Sequence, residues 1–365
     1  MSIFQINKKS HTRKEIFFDE PVDVARYDIM RYPQFDKLTE MHHAFFWRPH
    51  EVDLSKDRID FEGLTDSEKH IFTSNLQYQI LMDSVQGRAP NLLFLPIVSL
   101  PEFETFTETW SFSETIHSRS YTHILRNVYT DPSIVFDGMT KVQEIVDRAA
   151  SLTEYYDDAM KYMYAYKAGV NLCTEYELAK KVWLAINSVN ILEGIRFFNS
   201  FICSWAFAEN EKMVGNATII KLICRDESLH LAATQYLIRV LKRDNEMFAK
   251  IADECADEVH RMFMDAMQQE FEWADYLFQY GSVIGLNASI LKEYTKYITA
   301  KRMISIDIKP DFDYPTSNPV SWSDSWISSS DVQVAPQETE ISSYIIGALD
   351  NTLTKPMLMT LEVRE

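Results

Sequence analysis

The chain has 365 residues, 46% of them apolar, enough for a sizeable core in one large domain or two. Its 54 acidic and 36 basic residues leave a net charge of −18, which argues against nucleic acid as a partner and for a self-repelling surface. Only nine Gly and twelve Pro interrupt patterns that are mostly helical in period, so the expected class is all-α. Residues 1–32 read as an extended N-terminal arm with Pro21 and Pro33 as breakers, followed by a short helix over about 34–46. A helix over 65–87 opens on Thr65 with Glu68 three residues later, a capping box, and closes at Gly87; Asp83 sits near its end. Pro101 opens the next helix, which runs to about 127 and carries Glu114 and His117. Further helices are expected over 140–167, 175–208, 213–242, 246–280 and 288–304. Beyond 305 the sequence turns Pro-, Ser- and Asp-rich. The division is therefore an arm (1–32), a helical domain (33–304) and a flexible tail (305–365).

The segment 183–208, WLAINSVNILEGIRFFNSFICSWAFA, has Glu193 and Arg196 as its only charges. Its length suits a membrane span, but each charge at the centre of one costs about 2.5–3.5 kcal/mol, and three Asn add to that. A helix buried on all sides inside a bundle fits better, and no membrane association is expected. A buried carboxylate needs a partner. Arg196, three residues on, is the bland choice for Glu193 and a metal dication is the sharper one. The four cysteines, Cys173, Cys203, Cys224 and Cys255, form no Cys-x-x-Cys pair, and Cys203 and Cys224, in apolar runs, read as buried thiols of a cytosolic protein. The opening residues MSIFQINKKSHTRKE contain no apolar signal core, so a cytoplasmic location is expected.

The chain holds two matched copies of one pattern. Glu114-x-x-His117 follows Asp83 by 31 positions, and Glu227-x-x-His230 follows Glu193 by 34. Residues three apart share a helix face, so each copy aims a carboxylate and an imidazole at one point. Six such side chains are what a four-helix bundle uses to hold two metal ions. Short motifs have many false positives, and Glu40/His43 and Asp257/His260 are two here. The first is followed by a helix-ending Arg48-Pro49 and the second lies among Asp253, Glu254 and Glu258, as a solvated face does. Neither has a partner segment. Tyr121 lies within a roughly 60° sector of Glu114 and His117 on the helical wheel, facing the same centre one turn on. With 18 tyrosines in the chain, a plain core role is the competing reading for it.

The runs DSVQGR at 83–88, WSFSETIHSRSYTH at 110–123 and RDESLHL at 225–231 resemble the small, radical-bearing subunit of class I ribonucleotide reductase. So do FFWRP at 45–49 and VAPQETEISSY at 334–344, and the likeness extends from about residue 16 to 345 with the motifs in order. The resemblance implies a ferritin-like helical bundle with extra helices. It also implies an oxygen-activated dinuclear centre held by Asp83, Glu114, His117, Glu193, Glu227 and His230, and a stable radical on Tyr121. Phe197, Phe201 and Ile223 match the apolar pocket that shields the radical. Trp47, Asp226 and Tyr344 match the path that carries it to a large catalytic subunit, where ribonucleotides are reduced. As bare sequence, Trp47 is a core aromatic, Asp226 a helix-surface carboxylate and Tyr344 an ordinary tail residue.

Two iron ions are the expected pair. Dimanganese and mixed manganese–iron centres use nearly the same ligands, and ligand type separates these ions poorly. The resemblance further implies a homodimer that docks on the large subunit through residues 345–365, whose apolar Met357, Leu358, Met359, Leu361 and Val363 follow a polar linker. The ending Glu362-Val363-Arg364-Glu365 departs from the acidic, Phe- or Leu-terminated tails of bacterial members, and the stretch 163–176 is shorter than in some relatives. A ferritin-type storage protein or a diiron oxygenase of the same superfamily is the alternative. The first has no use for Tyr121, Trp47 or the long tail, and the second wants a channel where Phe197 and Phe201 stand.

Overall fold

The computed structural model describes residues 6–327. Helices account for its regular structure, and no β-strand occurs among the described residues. In chain order they are α1 (Pro33–Ala44), α2 (Ser55–Glu62), α3 (Asp66–Gln86), α4 (Ala89–Leu93), α5 (Pro101–Val128), α6 (Ser133–Met139) and α7 (Gln143–Lys167). Then come α8 (Glu175–Ile191), a π-helical turn (Leu192–Arg196), α9 (Phe197–Ala208), α10 (Val214–Asp244), α11 (Glu246–Glu254), α12 (Ala256–Leu277), α13 (Ala288–Ser305) and α14 (Asp324–Ile327).

Local chemistry sets several boundaries. Thr65 accepts the Glu68 amide at 3.3 Å while Glu68 accepts the Thr65 amide at 2.9 Å, the reciprocal cap read from the sequence. Thr174 and Glu177 repeat the device at the start of α8. Pro101 occupies the first turn of α5, where its missing N–H costs nothing. The helices expected over 175–208 and 246–280 are each broken once. A π-turn interrupts the first at Glu193, and Cys255, with φ −95° and ψ 3°, leaves helical geometry between α11 and α12. The short α2, α4 and α6 have too few residues to establish a period and were not expected from the sequence.

Four segments form the central bundle: α3, α5, the α8–π–α9 rod, and α10. They pack against one another, α1 covers α5, α7 lies along α8, and α12 with α13 closes the far side. At about 1.5 Å per residue, the 31-residue α10 runs some 46 Å. The apolar run around Glu193 is buried without a break from residue 185 to 207, as expected of an interior helix. Gly194 sits where three elements meet. A Cβ there would come within 3.0 Å of Leu231 Cδ1 on α10 and 3.1 Å of Arg302 Cγ on α13, so a bare backbone permits this approach.

The chain ends differ from a simple arm-and-tail picture. The described part of the arm has no element longer than the three-residue turn His11–Arg13, yet Ile16 and Phe17 are buried. Phe17 stacks against Phe94 and meets Phe103 edge-on. Residues 306–327, read from the sequence as tail, lie against the bundle: Val320 and Ser323 are buried, and Trp326 stacks on Trp205 at 5.9 Å. A few apolar anchors in a Pro- and Ser-rich stretch hold it down where composition alone argues for a free chain. Tyr344 and the segment 345–365 lie outside the described residues.

Candidate metal centre

Each bundle segment delivers donors to one point. Asp83 comes from the last turn of α3, Glu114 and His117 from the middle of α5, Glu193 from the π-turn, and Glu227 and His230 from the middle of α10. All six are at most 1% exposed. One donor atom each from Asp83, Glu114, His117 and Glu227 lies within 4.8 Å of the others, and the same holds for Glu114, Glu193, Glu227 and His230. Glu114 and Glu227 belong to both groups. The centre thus has two adjoining donor pockets with two shared carboxylates, which is the arrangement of a dinuclear site.

Hydrogen bonds fix which imidazole nitrogen faces inward. His117 Nε2 meets Asp226 Oδ2 at 3.1 Å, leaving Nδ1 towards Glu227 Oε1 at 3.1 Å and Glu114 Oε2 at 3.2 Å. Ser113 donates to the Trp110 carbonyl and so accepts from His230 Nε2 at 3.0 Å. That leaves His230 Nδ1 facing Glu227 Oε2 at 2.6 Å and Glu114 Oε1 at 3.4 Å. In each case the outer nitrogen is held by a polar group and the inner one is free to ligate. The His230 ring lies between those of Trp110 and His42, at centroid distances of 4.8 and 5.0 Å. His42 stays neutral there, because burial pushes its imidazole down to about 3.

The donor set fits divalent metal. Both oxygens of Asp83 and Glu193 Oε2 are buried with no hydrogen-bond partner, an arrangement that costs several kcal/mol unless a ligand or proton occupies them. Arg196 does not serve Glu193: it pairs with Glu270 at 3.2 Å and with Gln269 at 2.6 Å. Four carboxylates match the charge of two dications. Without metal, protons must take that place. Burial, then the charge of Glu114, drives Asp83 well above the usual carboxylate range; burial and Glu227 do the same to Glu193. Burial and the Glu114 carboxylate raise Glu227 to about 8. Burial alone would lower His117, but the surrounding carboxylates, Glu227 foremost, outweigh it and raise it.

The two other Glu-x-x-His-like pairs are surface features. His43 meets Glu40 only at 3.6 Å with both side chains more than half exposed, and His260 pairs with Asp311 rather than Asp257.

Tyr121 is fully buried and its hydroxyl makes no hydrogen bond; the Asp83 carboxylate lies within electrostatic reach of it. Burial, then the Asp83 charge, drives the phenol well above its ordinary value, so it is neutral in the resting protein. Phe197, Phe201 and Ile223 are completely buried, and the two rings stack at 6.0 Å with planes 8° apart. Trp47, also buried, donates its indole N–H to Asp226 Oδ2 at 2.8 Å. An unbroken hydrogen-bonded chain therefore runs from His117 through Asp226 to Trp47. Burial would raise Asp226, but the hydrogen bond and charge of His117 hold it below the usual range. A pocket of about 310 Å³ opens beside Trp47 and Asp226, walled by Phe45, Phe46 and Phe112.

Sequence reasoning missed Ser113, Trp110, Gln86 and Tyr156. Trp110 donates to Glu114 Oε1 at 3.0 Å, one turn earlier on the same face, a spacing that was legible. Gln86 donates to Glu193 Oε1, and Tyr156 on α7 donates to Gln86 Oε1 at 3.0 Å. Those contacts join residues 70 or more positions apart, for which the sequence carries no signal.

A model of the ribonucleotide reductase small chain matches residues 26–319. The chain is 50% identical to ribonucleoside-diphosphate reductase 1 subunit beta of Salmonella typhimurium over 361 residues, covering 95% of this chain and 96% of that one. It is 40% identical to the subunit beta of Enterobacteria phage T4, covering 98% of both. Among solved structures it superposes on the ribonucleotide reductase R2 subunit from Clostridium botulinum with a TM-score of 0.80 at 25% identity, covering 90% of this chain and 98% of that one. The dimanganese(II)-NrdF of Streptococcus sanguinis shares the fold, with a TM-score of 0.65 at 19% identity over 85% of this chain and all of that one.

Proposed function

This chain belongs to the ribonucleotide reductase small-chain family and is the small subunit of a ribonucleoside-diphosphate reductase, an oxidoreductase that acts with a large subunit, and we propose how it works. Asp83, Glu114, His117, Glu193, Glu227 and His230 hold a pair of iron ions, and Tyr121 carries the radical the subunit supplies. The observation that carries the reading is the sharing of Glu114 and Glu227 between two buried donor groups. By donor chemistry manganese fits these residues too; Tyr121 beside the centre favours a tyrosyl-radical enzyme and iron.

When bound, the metal pair supplies the oxidising power that dioxygen activation directs at a nearby phenol. The remaining work belongs to the chain. A phenol that loses an electron also sheds its proton, and the Asp83 carboxylate, with neither oxygen engaged by a hydrogen bond, can give one oxygen to the metal and hold the proton on the other. Phe197, Phe201 and Ile223 keep water and reductants from the oxidised ring. The chain His117–Asp226–Trp47 couples the centre to the buried indole of Trp47, with proton positions defined at His117 Nε2 and Trp47 Nε1. Tyr344 continues the route, and residues 345–365 dock on the large subunit. The subunit works as a homodimer.

The test loads metal-free protein with Fe(II), exposes it to oxygen, and records electron paramagnetic resonance and absorption spectra beside those of Tyr121→Phe. A tyrosyl signal in the unsubstituted chain and none in the variant is expected. Oxidised iron with no radical in either would refute the assignment and point to manganese or to an oxygenase. Loading with Mn(II) in parallel separates those two outcomes.

A further inference from the structure

Glu193 differs from the other carboxylate donors in its support. It rises from a π-turn rather than from a regular helix, and the arginine on its own segment is committed to Glu270. π-turns occur mostly as single-turn bulges inside α-helices, frequently at functional sites. Its Oε1 accepts from Gln86 Nε2. The Gln86 carbonyl oxygen in turn accepts from the Tyr156 hydroxyl at 3.0 Å. Gln86 is 0% exposed and Tyr156 3%, so neither amide nor phenol can substitute water freely for these bonds.

This relay has one consistent polarity. A carboxylate accepts only, so Gln86 must present its NH₂ to Glu193 and its oxygen to α7. A donor on α7 is then required, and Tyr156 is that donor. With Oε1 engaged by Gln86, the oxygen of Glu193 left wholly unpartnered is Oε2, which lies 3.9 Å from His230 Nδ1, in the second donor group.

We propose that Tyr156 is a positioning residue which, through Gln86, holds Glu193 in a one-oxygen ligating pose and thereby sets the affinity of the Glu193–Glu227–His230 metal position. Tyr156 touches neither metal nor radical. Replacing its hydroxyl leaves the Gln86 oxygen without a donor, frees the amide to turn, and releases Glu193 Oε1. The position built from Asp83 and His117 is untouched by this relay. The inference rests on the dinuclear reading above.

The experiment titrates metal-free, full-length protein with Mn(II), following free Mn(II) by electron paramagnetic resonance, for the unsubstituted chain, Tyr156→Phe and Gln86→Leu. Two ions bind the unsubstituted chain. Both variants weaken one of them by about tenfold, the scale of lost support behind a ligand, and leave the other unchanged. The melting temperature without metal falls somewhat in Tyr156→Phe, because the buried Gln86 oxygen loses its donor; the increment added by Mn(II) shrinks as well, which a merely structural tyrosine would not produce. Unchanged isotherms in both variants overturn the proposal, and so does equal weakening of both ions. After iron and oxygen, Tyr156→Phe keeps the tyrosyl signal that Tyr121→Phe loses; the reverse would make Tyr156 the radical site and overturn the positioning role. If the unsubstituted chain binds no metal pair, the dinuclear reading itself fails, a result distinct from all of these.

Discussion

Lowering the pH should expel the metal pair long before it unfolds the protein. Glu227 is shared by both donor groups and, without metal, titrates at about 8. At pH 6 it carries a proton that the first cation must displace. Two units of pKa correspond to roughly 3 kcal/mol, or about a hundredfold in dissociation constant, for this one group. Asp83 and Glu193 are raised as well, by burial first and then by neighbouring carboxylates, so they add in the same direction. Their effect on the metal-free fold has the opposite sign. A raised carboxyl contributes stability that is complete below the ordinary value near 4.5 and is lost as pH climbs towards 8, so the apoprotein weakens across that window while metal binding strengthens. Mn(II) titrations at pH 6, 7 and 8 in matched ionic strength, with proton release followed in weakly buffered solution, measure both. Affinity rising at least about tenfold per pH unit below pH 7.5, with at least one proton released per metal pair, is expected. An affinity independent of pH across this range would refute the buried-carboxylate argument.

Asp226→Asn keeps the shape of the His117–Asp226–Trp47 chain but removes its charge; turnover with the large subunit should fall by about 10–100-fold while the tyrosyl signal still forms. Phe201→Ala opens a cavity in a fully buried aromatic layer and should cost about 3–5 kcal/mol in denaturant unfolding, with a radical half-life shortened in proportion to water entry. Gly215→Ala, at the start of α10, would drive a Cβ to 2.5 Å from the Asp53 carbonyl, a backbone atom that cannot swing aside. A loss of roughly 1–3 kcal/mol, with the radical yield of folded protein unchanged, is expected from thermal melts. Deleting residues 345–365 should abolish ribonucleotide reduction and leave the Tyr121 signal intact; loss of the radical on truncation would remove the docking role from the tail.

The sequence alone determined the helical class and the six candidate ligands, because both are written in local spacing. A period of 3.6 declares a helix, and Glu-x-x-His declares a shared face whatever surrounds it. The same locality explains why Thr65–Glu68 marked a helix start correctly, and why Tyr121 was placed on the face of Glu114 and His117. Only the tertiary structure decided which of two plausible partners each buried charge takes. Arg196 was the near neighbour of Glu193 in sequence, but it turns to Glu270, 74 positions away, and leaves the carboxylate to Gln86 and the metal site. Trp47 was plain core and Asp226 a surface carboxylate until folding set them 2.8 Å apart in the interior. The anchoring of Trp326 on Trp205 likewise binds a stretch whose composition argues for freedom. Such pairings depend on which helix faces meet, and contacts across more than seventy residues leave no periodic trace in a single chain.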